Sequence, residues 1–281
     1  MKTKNIDFIW LTNDLVFKHI FSNEDIAKDY VNSYLSYIGS PLKVKMVKTS
    51  KQKYLQGNKL KSRDYYLDIL IILSNGEMFN LEMYNNFGSI ECKKSLSYAS
   101  LLYSQQLKKG DSFNLIKKVT SLNIMKGNFQ NVNKKLVNIY TISNTINREN
   151  LIEESIEMSL IRLDILQKIP YDVNEERYIR WCRFIDAKTK EEALKLAEGD
   201  DVFMTTIQMV DEFLSDPEII SAFHTDSWKI ESAKERGKSE GLLKGQIEIA
   251  KNMLKNKYDV DVICKLTNVS KSQVMKLQKS L

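Results

Sequence analysis

The sequence predicts an α/β chain of the α+β type: a mixed β-sheet flanked by helices, followed by a helical C-terminal appendage. Three observations predict it. Apolar residues recur at three- and four-residue steps through Asp14–Tyr37 and again through Glu91–Lys109, the period of amphipathic helices. Between them Asp64–Asn86 reads DYYLDILIILSNGEMFNLEMYNN, two apolar runs separated by a turn. Beyond the second helix, strand-like runs resume before the pattern returns to helices.

In chain order, Leu15, Phe17, Ile20 and Phe21, then Ile26, Tyr30, Val31, Tyr34 and Leu35, predict two helices. Ser22-Asn23 breaks them and Gly39-Ser40-Pro41 stops the second. Lys43–Thr49 alternates as a half-exposed strand, and Ser50–Ser62 is a polar, basic loop. In the hairpin, Ser74-Asn75-Gly76 fits a three-residue loop with Gly76 at positive φ. Leu73 then faces Glu77 across the loop; Asp68 faces Glu82 and Tyr66 faces Tyr84, these last two pairs on one side. A two-residue turn would shift the register by one and part the two acids.

Glu91–Lys109 follows, with Gly110 as its stop. Strands are predicted at Val119–Met125, Leu136–Ile142 and Glu157–Ile165, then helices from Asn174 to Trp228, with Asp216-Pro217 as a helix start. Gly237, Gly241 and Gly245 fall every fourth residue in a Lys/Glu-rich stretch, which lowers helicity by about 1 kcal/mol per site. Val260–Leu266, Thr267-Asn268-Val269 and Ser270–Leu277 resemble a short helix–turn–helix, with Ser270 as N-cap. The expected division is 1–230 and a basic helical tail, 231–281.

The 281 residues are 43% hydrophobic, enough for one large core or two small ones. Neither export nor membrane insertion is expected, since Ile69–Leu73 is the longest uninterrupted aliphatic run. Cys92, Cys182 and Cys264 lie far apart, and His19 and His224 are the only histidines, which argues against zinc and for a reducing cytoplasm. The same scarcity leaves a Cys-His or Ser-His nucleophile little to draw on, and no phosphate-binding glycine loop is present. The net charge of +6 is uneven. Lys43–Arg63 carries eight basic residues and no acid, and Glu231–Leu281 eleven basic against six acidic residues. Such clusters suit a phosphate backbone or a solvated face.

An acid alone in an apolar strand costs several kcal/mol unless compensated. Asp68 and Glu82, about 5 Å apart at Cβ in the facing register, ask for a cation between them. With oxygen ligands only, that cation is Mg²⁺ or a relative. Solvated or hydrogen-bonded carboxylates are the alternative.

Taken together, NDLVFKHIF, LDILIILSNGEMFNLEM, KKSLSYASLLYSQQLKKGDSF and AKERGKSEGLLKG resemble the PD-(D/E)XK nuclease family transposases, from about Thr12 to the C-terminus. The resemblance implies a restriction-endonuclease-like fold and Mg²⁺- or Mn²⁺-dependent cleavage of DNA. It matches Asp68 and Glu82 to the two strand acids and Asp14 to an auxiliary acid of the metal shell. Tyr84 stands where that family usually places glutamine and related nucleases lysine. Tyrosine supplies no cation, so Lys93 or Lys94, opening the next helix, are the candidates to replace it. Lys43, Lys45, Lys51, Lys53, Lys59, Lys61 and Arg63 are the expected DNA-backbone contacts. Two functions are therefore expected: a mobile-element DNA endonuclease, acting as a homodimer, or a weak or inactive nuclease-fold protein that binds DNA or a partner chain.

Overall fold

The computed structural model describes residues 8–49, 69–85, 87–126, 135–147, 149, 155–221, 245–267 and 269–279. The chain divides into two compact units, Met1–Phe213 and Leu214–Leu281. The boundary expected after residue 230 falls outside the described residues.

Helices α1 (Asp14–Phe21) and α2 (Glu24–Tyr37) are separate because each has its own N-cap. Asn13 Oδ1 accepts from the Leu15 and Val16 N–H groups, and Asn23 Oδ1 from those of Asp25 and Ile26. Gly39 ends α2 with φ +75°. Strands β1 (Val44–Thr49), β2 (Ile69–Leu73) and β3 (Met78–Tyr84) then build one side of a six-stranded mixed sheet. The Leu73 N–H donates to Glu77 O at 2.8 Å across the expected three-residue loop, where Gly76 has φ +93°. The described rungs of the hairpin run from Ile72↔Met78 to Ile69↔Leu81.

Helix α3 is Ser89–Ser104, shorter at its C-terminus than the amphipathic pattern suggests. The physical reason is Gln106, whose side-chain amide donates to Lys117 O and accepts from the Lys117 N–H, both at 2.8 Å. That pairing draws the chain out of the helix before Lys109. Strand β4 (Val119–Met125) lies parallel to β3, β6 (Ile156–Arg162) parallel to β4, and β5 (Val137–Thr141) antiparallel to β6 at the edge. The sheet order is β1-β2-β3-β4-β6-β5. Strand β6 stops at Arg162 instead of Ile165. Leu163–Lys168 forms a 3-10 helix that buries Leu163, Ile165 and Leu166.

Helices α4 (Arg177–Ile185), α5 (Lys190–Ala197) and α6 (Asp201–Ser215) complete the first unit. Their aromatic residues build its largest core. Trp181, fully buried, meets Phe21, Tyr30, Phe184 and Phe203 at centroid distances of 4.5–6.0 Å. Tyr34 ties this layer to the sheet, edge-on to Phe79 of β3 and bonded through its hydroxyl to Ser159 Oγ of β6 at 2.7 Å. Phe79 and Tyr84 differ in parity along β3, so the α2/α4 aromatic layer and α3 cover opposite sheet faces.

Pro217 opens a helical turn, residues 217–221, after Asp216, whose Oδ1 accepts from the Glu218 N–H at 2.8 Å. The second unit also contains α7 (residues 245–255), α8 (Val260–Thr267) and α9 (Lys271–Lys279). Among the described residues no helix is long and apolar enough to cross a membrane.

Candidate active site

On β3, Asn80, Glu82 and Tyr84 point to the face covered by α3. The parallel register sets Asn80 beside Ser121 and Glu82 beside Asn123 of β4. Asn80, Glu82, Ser95, Ser121 and Asn123 are all essentially buried. They form a polar layer between two apolar clusters. Leu70, Ala99, Leu102 and Val119 close one end, and Tyr84, Phe87, Met125 and Leu160 the other.

Hydrogen bonds hold this layer in place. Ser95 Oγ of α3 donates to Asn123 Oδ1 at 2.6 Å and lies 3.3 Å from the Tyr84 hydroxyl. Asn123 Nδ2 donates to Ser121 O at 2.9 Å. The Glu82 side chain, 1% exposed, accepts from Asn80 Nδ2 at 3.1 Å through Oε1. Its Oε2 lies 3.5 Å from the Lys94 ammonium, which reaches in from the second turn of α3. That ammonium also sits over the rings of Tyr84 at 5.3 Å and Tyr98 at 5.1 Å. Both candidate lysines are exposed along much of their length, and of the two it is Lys94 whose ammonium stands against Glu82. Tyr84 presents its ring to Lys94 and its hydroxyl to Ser95.

Asn80 Oδ1 is buried and has no hydrogen-bond partner. A buried oxygen without a donor costs roughly 1–3 kcal/mol, and it lies on the amide that donates to Glu82. The carboxylate and this amide oxygen are hard oxygen donors, the chemistry that Mg²⁺ or Mn²⁺ prefers. Among the described residues no group of three or more His, Cys, Asp or Glu side chains is placed to hold a metal ion. Asp68 lies outside the described residues, one position before the Ile69↔Leu81 rung.

Asp14, the third acid, sits in the first turn of α1, exposed and 2.8 Å from Lys18 Nζ. The segment before it is tied to the carboxyl ends of β3 and β4. Asn85 Nδ2 donates to Thr12 O at 2.9 Å and Lys126 Nζ to Thr12 Oγ1 at 3.3 Å. Burial lowers the Lys126 pKa and the neighbouring Lys188 adds to the effect. Lys43 and Lys45 are exposed on and beside β1; Lys51, Lys53, Lys59, Lys61 and Arg63 lie outside the described residues. Cys182 is fully buried in the aromatic layer, and burial pushes its thiol up to about 12, far from a reactive thiolate.

Sequence reasoning passed over Asn80, Ser95, Ser121 and Asn123. A signal was present: Ser121 and Asn123 interrupt the apolar strand VTSLNIM, and Asn80 precedes Glu82 by the two residues that put both on one face.

A model of the PD-(D/E)XK nuclease family transposases matches residues 11–235. No curated protein and no solved structure gives a match.

Proposed function

We propose, from the premise that the chain belongs to the PD-(D/E)XK nuclease family transposases and is a nuclease of mobile-element type, that it is a divalent-metal-dependent DNA endonuclease whose centre is Glu82. The observation that carries this reading is a buried carboxylate flanked by the orphaned Asn80 oxygen and approached by a lysine from the covering helix. A structural acid would be expected to have its neighbours' hydrogen-bonding capacity used up.

Glu82 and Asp68 would hold the ion, with Asn80 Oδ1 or Asp14 as further oxygen donors. When bound, the divalent cation supplies positive charge to the phosphate and lowers the pKa of a bound water. Lys94 brings the other positive charge, held over Tyr84 and Tyr98, and orients the attacking water or meets the phosphate as charge builds on it. In this reading Tyr84 positions Lys94 and reacts with nothing. Ser95, locked to Asn123, fixes the rotation of α3 that aims Lys94 at the site. In this reading Lys43 and Lys45, together with Lys51, Lys53, Lys59, Lys61 and Arg63 of the basic sequence that follows, contact the DNA backbone.

The test is nicking of supercoiled plasmid in Mg²⁺, Mn²⁺ or EDTA. The wild type should nick with either metal and not with EDTA, while Asp68→Ala and Glu82→Gln remove nicking. Lys94→Met should reduce it by about a hundredfold or more, the scale of losing one oriented charge in a water-poor site. Mg²⁺ should also raise the melting temperature of the wild type by mass action and leave Glu82→Gln unmoved. Nicking that survives the Asp68→Ala/Glu82→Ala double variant overturns the assignment. A wild type that binds DNA yet nicks with neither metal supports an inactive nuclease-fold binding protein, the reading that tyrosine at position 84 favours.

A further inference from the structure

The second unit has a core of its own. Ala250 of α7, Ile263 of α8, Val269 of the turn and Val274 of α9 are buried together, with Ile247, Met253, Leu254, Val260, Cys264 and Leu277 packed around them. Each joint is fixed by local chemistry. Helix α7 ends in a Schellman motif: the Tyr258 N–H donates to Met253 O at 3.1 Å, the Lys257 N–H to Leu254 O at 3.0 Å, and Lys257 takes φ +61°. Asp259 caps α8 by accepting from the Asp261 N–H at 2.8 Å. Thr267 Oγ1 closes α8 on Ile263 O at 2.7 Å and accepts from the Val269 N–H at 3.3 Å. Ser270 caps α9, its Oγ accepting from the Gln273 N–H at 3.4 Å and donating to Gln273 Oε1 at 2.9 Å. An eight-residue helix, a three-residue turn with its middle residue buried, and a nine-residue helix on a third supporting helix make a complete helix–turn–helix.

We propose that this unit binds duplex DNA, with α9 as the helix that enters the major groove. Two observations favour DNA over a second copy of the chain. Charge is sorted along the unit: residues 245–281 carry seven lysines and three acids, and the acids, Glu248, Asp259 and Asp261, all precede α9. The α9 sequence, KSQVMKLQK, has three lysines and no acid. A self-associating pair of such helices would bring like charges together, whereas a phosphate backbone would neutralise them. The second observation is the division of α9 itself. Val274 and Leu277 face the core, while Gln273, Gln278 and the half-exposed Met275 are left outside it. A groove-reading helix needs base-contacting residue types outside its core, and Gln273 and Gln278 are such residues, on a helix whose sequence also supplies three lysines.

The proposal does not depend on Glu82, so it is tested with cleavage disabled. The full-length Glu82→Gln chain in EDTA is titrated onto a fluorescent random-sequence duplex across a salt series, beside the same chain carrying Lys271→Ala, Lys276→Ala and Lys279→Ala. The expected result is weaker binding and a plot of log K against log salt shallower by up to about 2.7, three lost phosphate contacts on duplex DNA. A Met275→Ala variant should retain that slope while losing discrimination between a duplex selected from a random library and its scrambled counterpart. Unchanged affinity and slope in the triple-lysine variant overturn the proposal. So does an unchanged slope accompanied by a change in mass by light scattering, which would identify a second copy of the chain as the occupant.

Discussion

The two faces of the central sheet are built by alternate residues of the same strands, and they serve opposite ends. On one side Phe79 of β3 meets Tyr34, part of the layer of Tyr30, Tyr34, Tyr178 and Trp181, where buried hydroxyls pair and the rings interlock. On the other side Asn80 and Glu82 lie just as deep, under α3, with a carboxylate in the middle and an amide oxygen unmatched. One face gains stability from packed aromatic area. The other keeps buried polar groups where apolar packing would cost less. The difference teaches that burial by itself does not tell the two faces apart; the hydrogen-bonding state of what is buried does.

The largest effect should come from emptying the aromatic face. Trp181→Ala removes a fully buried indole, and a loss of about 3–5 kcal/mol is expected in urea unfolding. A loss under about 1 kcal/mol would mean that this face is not where the stability resides.

Next is the ion-pair cluster that anchors α4. Arg177 donates to Asp200 Oδ2 at 2.6 Å and to Asp29 Oδ2 at 2.8 Å. Burial would raise the Asp200 pKa, but the Arg177 hydrogen bond, the Phe203 N–H and the charges of Arg177 and Arg180 outweigh it and hold the carboxyl below its usual range. A depressed pKa contributes stability that is present above the unfolded value, about 3.9, and is lost as pH falls through the folded one. Asp200→Asn should therefore cost about 1–2 kcal/mol at neutral pH, Arg177 being partly solvated. It should also flatten the acid limb of stability against pH below about 4. An acid limb identical to that of the wild type would remove Asp200 from the account.

The polar face should respond in the opposite sense. Glu82→Gln keeps shape and removes a buried charge, so stability should hold or rise by up to about 1 kcal/mol as nicking disappears. A drop of more than about 1 kcal/mol would show that Glu82 is a structural acid and erase the contrast between the faces.

The smallest effect lies outside both. Lys257 takes the left-handed conformation that glycine adopts without strain, at the C′ position of the Schellman motif. Lys257→Gly should stabilise the second unit by up to about 1 kcal/mol in thermal unfolding and leave nicking unchanged.

Much of the architecture was legible because it rests on local signals. The break at Ser22-Asn23 is an N-cap, Gly76 stands at the positive φ its loop requires, and the strand at Val119–Met125 has the predicted bounds. Two element ends were not legible. Helix α3 stops early because Gln106 pairs with Lys117, and β6 gives way to a 3-10 helix that buries Leu163 and Leu166. Of the site, Glu82 could be singled out as a charge out of place in an apolar run. Asn80 and Asn123 left only the weaker trace of polar residues spaced two apart in apolar runs, and Ser95 left none, because polar residues of ordinary type gain meaning mainly from their partners.

The sequence by itself determined most of the elements and narrowed the hairpin to two registers, between which the Leu73–Glu77 hydrogen bond decides, since turn geometry and side-chain alternation act over a few residues and leave their period in the chain. Only the tertiary structure decided that β4 and β6 align parallel beside β3, that α3 seals Glu82 from water, and that Lys94 rather than Lys93 approaches it. The two lysines are adjacent in sequence but point about 100° apart around a helix. Which of them faces the carboxylate depends on how α3 is rotated on the sheet. Ser95 and Asn123, 28 positions apart, join α3 to β4 at that point through a hydrogen bond, beside the packing of Ala99 and Leu102 on the sheet, contacts that no local pattern encodes.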